Sequence, residues 1–129
     1  MLRSFKLTLA LAVLILILSL ISLGEVPPVR VKAGDKIAHF LAYASLTLTL
    51  LLEYAVFNRW LRQPARWLIY PVVFASLYGV LMEFLQASSL SQRNFDYADM
   101  LANFLGSVAA ALLFVVLFKP LKKFFTRSY

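Results

Sequence analysis

The residues from Met100 to Phe118 contain no charged side chain, and this run constrains the fold more than any other feature of the sequence. Its length is close to the ~20 apolar residues that a helix needs to cross a bilayer. Asp99, Asn103 and Gly106 recur at steps of four and three residues, so a helix places them on one face. A carboxylate and an amide are costly in lipid. This face is therefore predicted to turn toward protein or water and to belong to a functional site.

The composition is that of an integral membrane protein forming one domain over residues 1–129. Of these residues, 62% are hydrophobic and only 15% are charged. The net charge of +7 resides beside the apolar segments, which indicates contact with a membrane surface and not with nucleic acid. Cysteine is absent, so disulfides, thiolate catalysis and cysteine-ligated zinc are excluded.

The apolar runs predict an all-α bundle of four transmembrane helices. Their expected bounds are about 7–24, 37–57, 67–86 and 97–118. The first run follows a basic start and could be a signal peptide, but it is longer than the usual apolar region of about 7–15 residues, so we interpret it as a retained helix. Asp35, after a turn at Gly34, and Asp96 are predicted to cap the second and fourth helices.

Basic residues are distributed unevenly between the two sides of this bundle. The N-terminus, the second loop and the C-terminus hold Arg3, Lys6, Arg59, Arg62, Arg66, Lys119, Lys122, Lys123 and Arg127. The first and third loops, with the adjoining helix ends, hold Arg30, Lys32, Lys36 and Arg93 together with Glu25, Asp35, Glu83, Asp96 and Asp99. The positive-inside rule then predicts that both termini are cytoplasmic, in a bacterial cytoplasmic membrane.

Three further patterns concern packing and the membrane surface. Small residues repeat every four positions along the fourth helix, which allows another helix to approach closely: Ala98, Ala102, Gly106 and Ala110. The tail from Lys119 to Tyr129 is predicted to be a basic amphipathic segment on the anionic inner leaflet, bound through Lys119, Lys122, Lys123 and Arg127. Glu53 is expected to extend toward the arginines of the second loop.

This topology brings polar residues from three separate elements to one depth near the extracytoplasmic surface. The predicted ligand-binding residues are Asp35, Lys36, His39, Tyr43, Glu83, Gln86, Arg93, Asp99 and Asn103. Each of them also has a structural interpretation, as a helix cap, an ion pair or an interhelical hydrogen bond. A single histidine with carboxylates is a weak metal signature, so the sequence predicts no metal site and no cofactor.

Three motifs in this region resemble the VanZ-like family of small membrane proteins. They are Asp35-Lys36-x-x-His39-Phe40-x-x-Tyr43, Gly79-x-x-x-Glu83-x-x-Gln86 and Arg93-x-Phe95-Asp96-x-x-Asp99-x-x-x-Asn103-x-x-Gly106. The resemblance covers the second to fourth helices and implies a multi-helix membrane protein. The family takes its name from a protein linked to tolerance of the glycopeptide antibiotic teicoplanin, and it implies no established biochemical activity.

Three functions follow as hypotheses. The first is a protein that binds or transports a polar lipid headgroup, a cell-envelope precursor or a glycopeptide-type ligand. In it, Arg93 and Lys36 would hold an anionic group while the acids and amides accept hydrogen bonds from sugar or amine groups. The second is a structural or assembly subunit whose polar residues lock the helices together. The third is an intramembrane hydrolase that uses His39 with Glu83 or Asp99.

Overall fold

Helices make up almost all of the chain that the structure describes. The computed structural model describes residues 5–20, 32–58, 65–88 and 95–125. Within these ranges it contains four α-helices and no strand: α1 (Lys6–Leu20), α2 (Lys32–Asn58), α3 (Ile69–Ala87) and α4 (Tyr97–Phe125). A short 3-10 helix, Ala65–Leu68, leads into α3. The predicted all-α, four-helix class is confirmed.

Two predicted helix boundaries are wrong. The helix α2 begins at Lys32 and not near Ile37, so Gly34 lies inside the helix and makes no turn before it. Asp35 consequently lies in the first turn, where its negative charge favours the positive end of the helix dipole, instead of in the N-cap. The helix α4 does not stop at Phe118 but continues through Pro120 to Phe125.

The helices alternate in direction through the bundle. The start of α1 lies beside Glu53, near the end of α2, and Ser19 near the end of α1 lies beside Gln86 at the end of α3. The start of α4 lies beside the start of α2, where Lys36 contacts Asp99. Accordingly α1 and α3 run in one direction, and α2 and α4 run in the other.

The surface of the bundle is apolar while part of its interior is polar. Leu77 and Phe84 on α3 are 65% and 61% exposed, whereas Glu83 on the same helix is 1% exposed. Among the described residues, three segments are long and apolar enough to cross a membrane: Gly34–Ala55, Ile69–Ala87 and Tyr97–Phe118. The described part of α1 is shorter, so the fourth crossing remains a prediction. An apolar outside around buried carboxylates is the arrangement that a lipid environment favours.

Close contact between α2 and α4 sets the geometry of the bundle. A Cβ atom added at Gly106 would collide with the main-chain carbonyl oxygen of Phe40 and lie 3.1 Å from its Cα atom. Gly106 and Ala110 are buried, whereas Ala98 and Ala102 are half-buried. The two helices therefore approach backbone to backbone at Gly106, one turn beyond Asn103.

Candidate functional site

Polar side chains are buried at the end of the bundle where α2 and α4 begin and α3 ends. Five of them, from three helices, are at most 3% exposed: Tyr43, Glu83, Gln86, Asp99 and Asn103. With Lys36 and His39 of α2 they form what we call the polar cluster. The apolar faces of the same helices point outward, so the sequence folds with these residues inside because exposure to lipid would be more costly.

Lys36 connects α2 to the start of α4 through two ion pairs. Its Nζ atom lies 2.9 Å from Oδ2 of Asp96 and 2.9 Å from Oδ1 of Asp99. The Asp99 side chain is 5% exposed, whereas those of Lys36 and Asp96 are 37% and 48% exposed. The ammonium group is thus shared between a buried and a half-exposed carboxylate. Both lysine contacts join residues more than 50 positions apart, and no local pattern in the sequence indicates them.

Asp96 has two roles where the sequence predicted one. Its Oδ1 atom accepts a hydrogen bond of 2.7 Å from the backbone N–H of Ala98, which confirms it as the N-cap of α4. Its other oxygen pairs with Lys36, and its own N–H lies 3.4 Å from Oε2 of Glu83. The hydrogen bond from Lys36 and then that from Ala98 lower the pKa of the Asp96 carboxyl below its ordinary value.

His39 is held by Asn103. Its Nδ1 atom lies 3.0 Å from Oδ1 of Asn103, and a carbonyl oxygen can only accept, so Nδ1 carries the proton of this hydrogen bond. In the neutral imidazole the opposite ring nitrogen, Nε2, then carries the lone pair, and it lies 3.7 Å from Oδ2 of Asp99. The imidazole side chain is only 11% exposed. The hydrogen bond from His39 to Asn103 therefore fixes the orientation of the ring and the position of the Nδ1 proton.

Asn103 and Tyr43 pack against Gly79 of α3. A Cβ atom at Gly79 would lie 2.9 Å from Nδ2 of Asn103 and 3.1 Å from Cε1 of Tyr43, so a larger residue would displace both side chains. The Tyr43 hydroxyl and the Asn103 amide nitrogen are buried and have no hydrogen-bond partner among the described residues. Glycine at position 79 thus leaves space for two polar groups at the centre of the cluster.

The remaining predicted site residues divide into three cases. A carboxylate oxygen of Asp35 lies within 4.8 Å of a ring nitrogen of His39 and of a carboxylate oxygen of Asp99. Gln86 donates from Nε2 to the carbonyl oxygen of Ser19 at 3.5 Å, so it connects α3 to α1 at the edge of the cluster. Arg93 lies outside the described residues.

The opposite end of α2 contains a carboxylate with a different role from the one expected. Glu53 accepts hydrogen bonds at its two oxygens from the backbone N–H groups of Leu7 (2.8 Å) and Thr8 (3.1 Å). It therefore caps the first turn of α1, whose N–H groups have no partner within their own helix. The sequence did not predict this contact, because it depends on how α1 packs. The arginine side chains of the second loop, toward which Glu53 was expected to extend, lie outside the described part of the chain.

A cavity of about 370 Å³ lies at this same end, between α1, α2 and α3. Its lining is almost wholly apolar or aromatic and includes Phe5, Leu50, Trp67 and Phe74. Such a cavity suits hydrocarbon and has no charged side chain in its lining. The groups able to recognise a polar ligand are thus at the other end of the bundle.

Comparison with known proteins assigns a family. A family model described as VanZ/LLP1 matches residues 2–119. A protein of Schizosaccharomyces pombe, described as uncharacterized protein C11E3.10, is 36% identical over 114 residues, which cover 88% of this chain and 66% of the yeast protein. The chain thus spans slightly less than two thirds of the length of this relative. No solved structure matches.

Proposed function

This chain is a membrane protein of the VanZ/LLP1 family, and we propose that it binds the polar headgroup of a membrane-embedded ligand in the polar cluster. One observation supports this most directly. Two buried polar atoms of the cluster, the Tyr43 hydroxyl and the Asn103 amide nitrogen, have no hydrogen-bond partner among the described residues. A buried polar group without a partner costs about 1–3 kcal/mol. A ligand that pairs with both atoms would remove this cost.

The cluster is richer in hydrogen-bond acceptors than in cations. Glu83 and Asp99 are buried carboxylates, while Lys36 is already shared between Asp96 and Asp99. Within the described residues, the site is therefore suited to hydroxyl groups, as in a sugar, which can donate to the carboxylates and accept from the Asn103 amide nitrogen, or to an amino group beside such a hydroxyl. Recognition of a phosphate would depend on Arg93, which lies outside these residues.

The yeast relative narrows the choice of ligand. A protein 36% identical over most of this chain occurs in a fungus. A polar headgroup that bacterial and fungal membranes have in common therefore fits the family better than a glycopeptide-type ligand. On this proposal the ligand's acyl chains lie against the apolar outer face of the helices, and its headgroup enters the cluster.

The ion pairs of Lys36 favour a second candidate function. They join α2 to α4 at 2.9 Å, as a structural cluster that locks helices together would do. A protein whose polar residues serve only this purpose would be an assembly or scaffold subunit. The two proposals predict different effects of removing one charge on the thermal stability of the protein and on its bound lipid.

Mass spectrometry of co-purified lipids, combined with thermal unfolding in detergent, tests the proposal. We expect Asp99→Asn and Arg93→Lys to lose a lipid species enriched on the wild type while they unfold at the same or a higher temperature, since binding residues are kept despite a local cost to stability. Glu83 is the most buried carboxylate of the cluster, so Glu83→Gln should change both the bound lipid and the unfolding temperature. Glu53→Gln, at the other end of α2, is the matched control and should retain the lipid.

The opposite pattern would reject headgroup binding. If Asp99→Asn, Arg93→Lys and Glu83→Gln all lost thermal stability while the bound lipids stayed unchanged, the structural function would replace it. Removal of one partner from a buried ion pair costs about 3–5 kcal/mol, so such a loss would be readily measured.

A further inference from the structure

We propose that Asp35, His39 and Asp99 bind a divalent transition-metal ion of the Zn²⁺ or Mn²⁺ type. Each of the three offers one ligand atom, and these atoms lie within 4.8 Å of one another. Ligand atoms of a tetrahedral Zn²⁺ ion are about 3.3–3.6 Å apart, because each bond is about 2.0–2.2 Å long. A small adjustment of the side chains would therefore enclose an ion.

The orientation of His39 points to a cation between it and Asp99. The proton on Nδ1 is directed to Asn103, so the Nε2 lone pair faces the Asp99 carboxylate. Their separation of 3.7 Å is too long for a hydrogen bond but similar to the spacing of two ligands on one metal ion. A lone pair and a carboxylate repel each other unless a positive charge lies between them.

The two oxygens of Asp99 have separate environments. Its Oδ1 atom pairs with Lys36 at 2.9 Å, whereas Oδ2, on a side chain 5% exposed, is directed toward His39 and has no hydrogen bond among the described residues. The ammonium group thus occupies one oxygen and leaves the other in a position to act as a ligand. The pairing with Lys36 also orients the carboxylate.

Asn103 acts as the positioning residue of this site. Metal-bound histidines usually donate their second ring N–H to an oxygen, which fixes the tautomer and raises the basicity of the ligand nitrogen. The Asn103 amide oxygen accepts this bond at 3.0 Å from a side chain that is 1% exposed. The ring is therefore fixed before any ion binds.

The ligand set determines the kind of ion. The imidazole nitrogen suits Zn²⁺, and the two carboxylates also suit Mn²⁺, whereas Mg²⁺ and Ca²⁺ are bound mainly by oxygen ligands alone. Asp35 and His39 are one turn apart on α2, and Asp99 comes from α4, so the ion would link the two helices. Three protein ligands leave at least one coordination position open. The sequence placed these residues at one depth but predicted no metal site, because a single histidine with carboxylates is a weak signature and the distances between α2 and α4 were unknown.

Because the chain contains a single histidine, a metal-binding measurement on the wild type can identify the histidine ligand without any substitution. The full chain, purified without a histidine tag and treated with a chelator, is titrated with Zn²⁺ and with Mn²⁺ by calorimetry. We expect one equivalent of each to bind, and pulsed electron paramagnetic resonance of bound Mn²⁺ to show coupling to one imidazole nitrogen. That nitrogen can come only from His39.

Variants then separate this site from adventitious binding. We expect Asp35→Asn and His39→Gln to abolish stoichiometric binding, and Asn103→Leu to weaken it roughly 10–100-fold. Asp96→Asn, whose carboxylate pairs with the same lysine but lies outside the three ligands, should bind as the wild type does.

Three results would overturn the proposal. They are the absence of stoichiometric binding, bound Mn²⁺ without nitrogen coupling, and equal affinity in the wild type and His39→Gln. In each case His39 and Asp99 would form no metal site. Headgroup binding is measured on chelator-treated protein, so failure of one proposal leaves the other intact.

Discussion

Gly106 of α4 lies directly against the main-chain carbonyl of Phe40 in α2. Phe40 follows His39, and Gly106 lies one turn after Asn103, so this backbone contact brings the imidazole and the amide together. The packing of two helices and the geometry of the candidate site therefore depend on the same residue.

Substitution at Gly106 should destabilise the fold. A Cβ atom there would collide with main-chain atoms of Phe40, which cannot move without shifting α2. Gly106→Ala should cost about 1–3 kcal/mol and Gly106→Leu more. Leu112→Ala, on the same helix at a side chain 63% exposed, is the control and should change little. Thermal unfolding in detergent measures all three, and equal tolerance of Gly106→Leu and Leu112→Ala would contradict the packing described.

Gly79→Ala should affect the site more than the fold. The atoms that its Cβ would meet belong to the side chains of Asn103 and Tyr43, which can shift. We expect a small loss of thermal stability and a clear loss of bound lipid, because Asn103 would be displaced. Ala75→Ser, one turn earlier on the buried face of α3, provides a comparison. Retention of the lipid in Gly79→Ala would show that this position does not shape the site.

Glu53→Ala should loosen the start of α1. The carboxylate accepts two backbone hydrogen bonds from Leu7 and Thr8, and loss of such a helix cap costs about 1 kcal/mol. Hydrogen exchange at the first turn of α1 should become faster. Thr49→Ala, one turn earlier on α2, removes a hydroxyl that donates to carbonyls of its own helix and should leave this exchange unchanged.

The ion pair of Asp96 should make stability depend on pH in acid. Its pKa is lowered in the folded protein by Lys36 and then by Ala98, so the charged form stabilises the fold above the ordinary aspartate pKa of about 3.9. This contribution is lost as the pH falls through the lowered folded value. The difference in melting temperature between the wild type and Asp96→Asn should be constant from about pH 5 to 7 and vanish at lower pH. A constant difference at every pH would contradict it.

Reporter fusions test the orientation in the membrane. Fusions after Arg62 and Arg127 should report a cytoplasmic position, and fusions near Lys32 and Ser89 an extracytoplasmic one, because the basic excess lies on the first pair. The opposite result would place the polar cluster on the cytoplasmic side, and an extracytoplasmic ligand could then not reach it.

Much of the fold could be predicted from local patterns. Long apolar runs, such as Met100–Phe118, determined the number and type of the helices, because a backbone in lipid must satisfy its own hydrogen bonds. The i, i+4 spacing of Asp99 and Asn103 determined that they share a face. Helix ends were less predictable, as at Lys32 and Phe125, since polar residues at a membrane surface can continue a helix or end it.

Only the tertiary structure decided which polar groups meet. Lys36 pairs with Asp96 and Asp99, His39 with Asn103, and Glu53 with the start of α1, all across separations of 45 residues or more. These contacts depend on how each helix is rotated about its axis and how closely two helices approach. Hydropathy sets the depth of a residue in the membrane but not these angles, which follow from packing details such as the contact between Gly106 and Phe40.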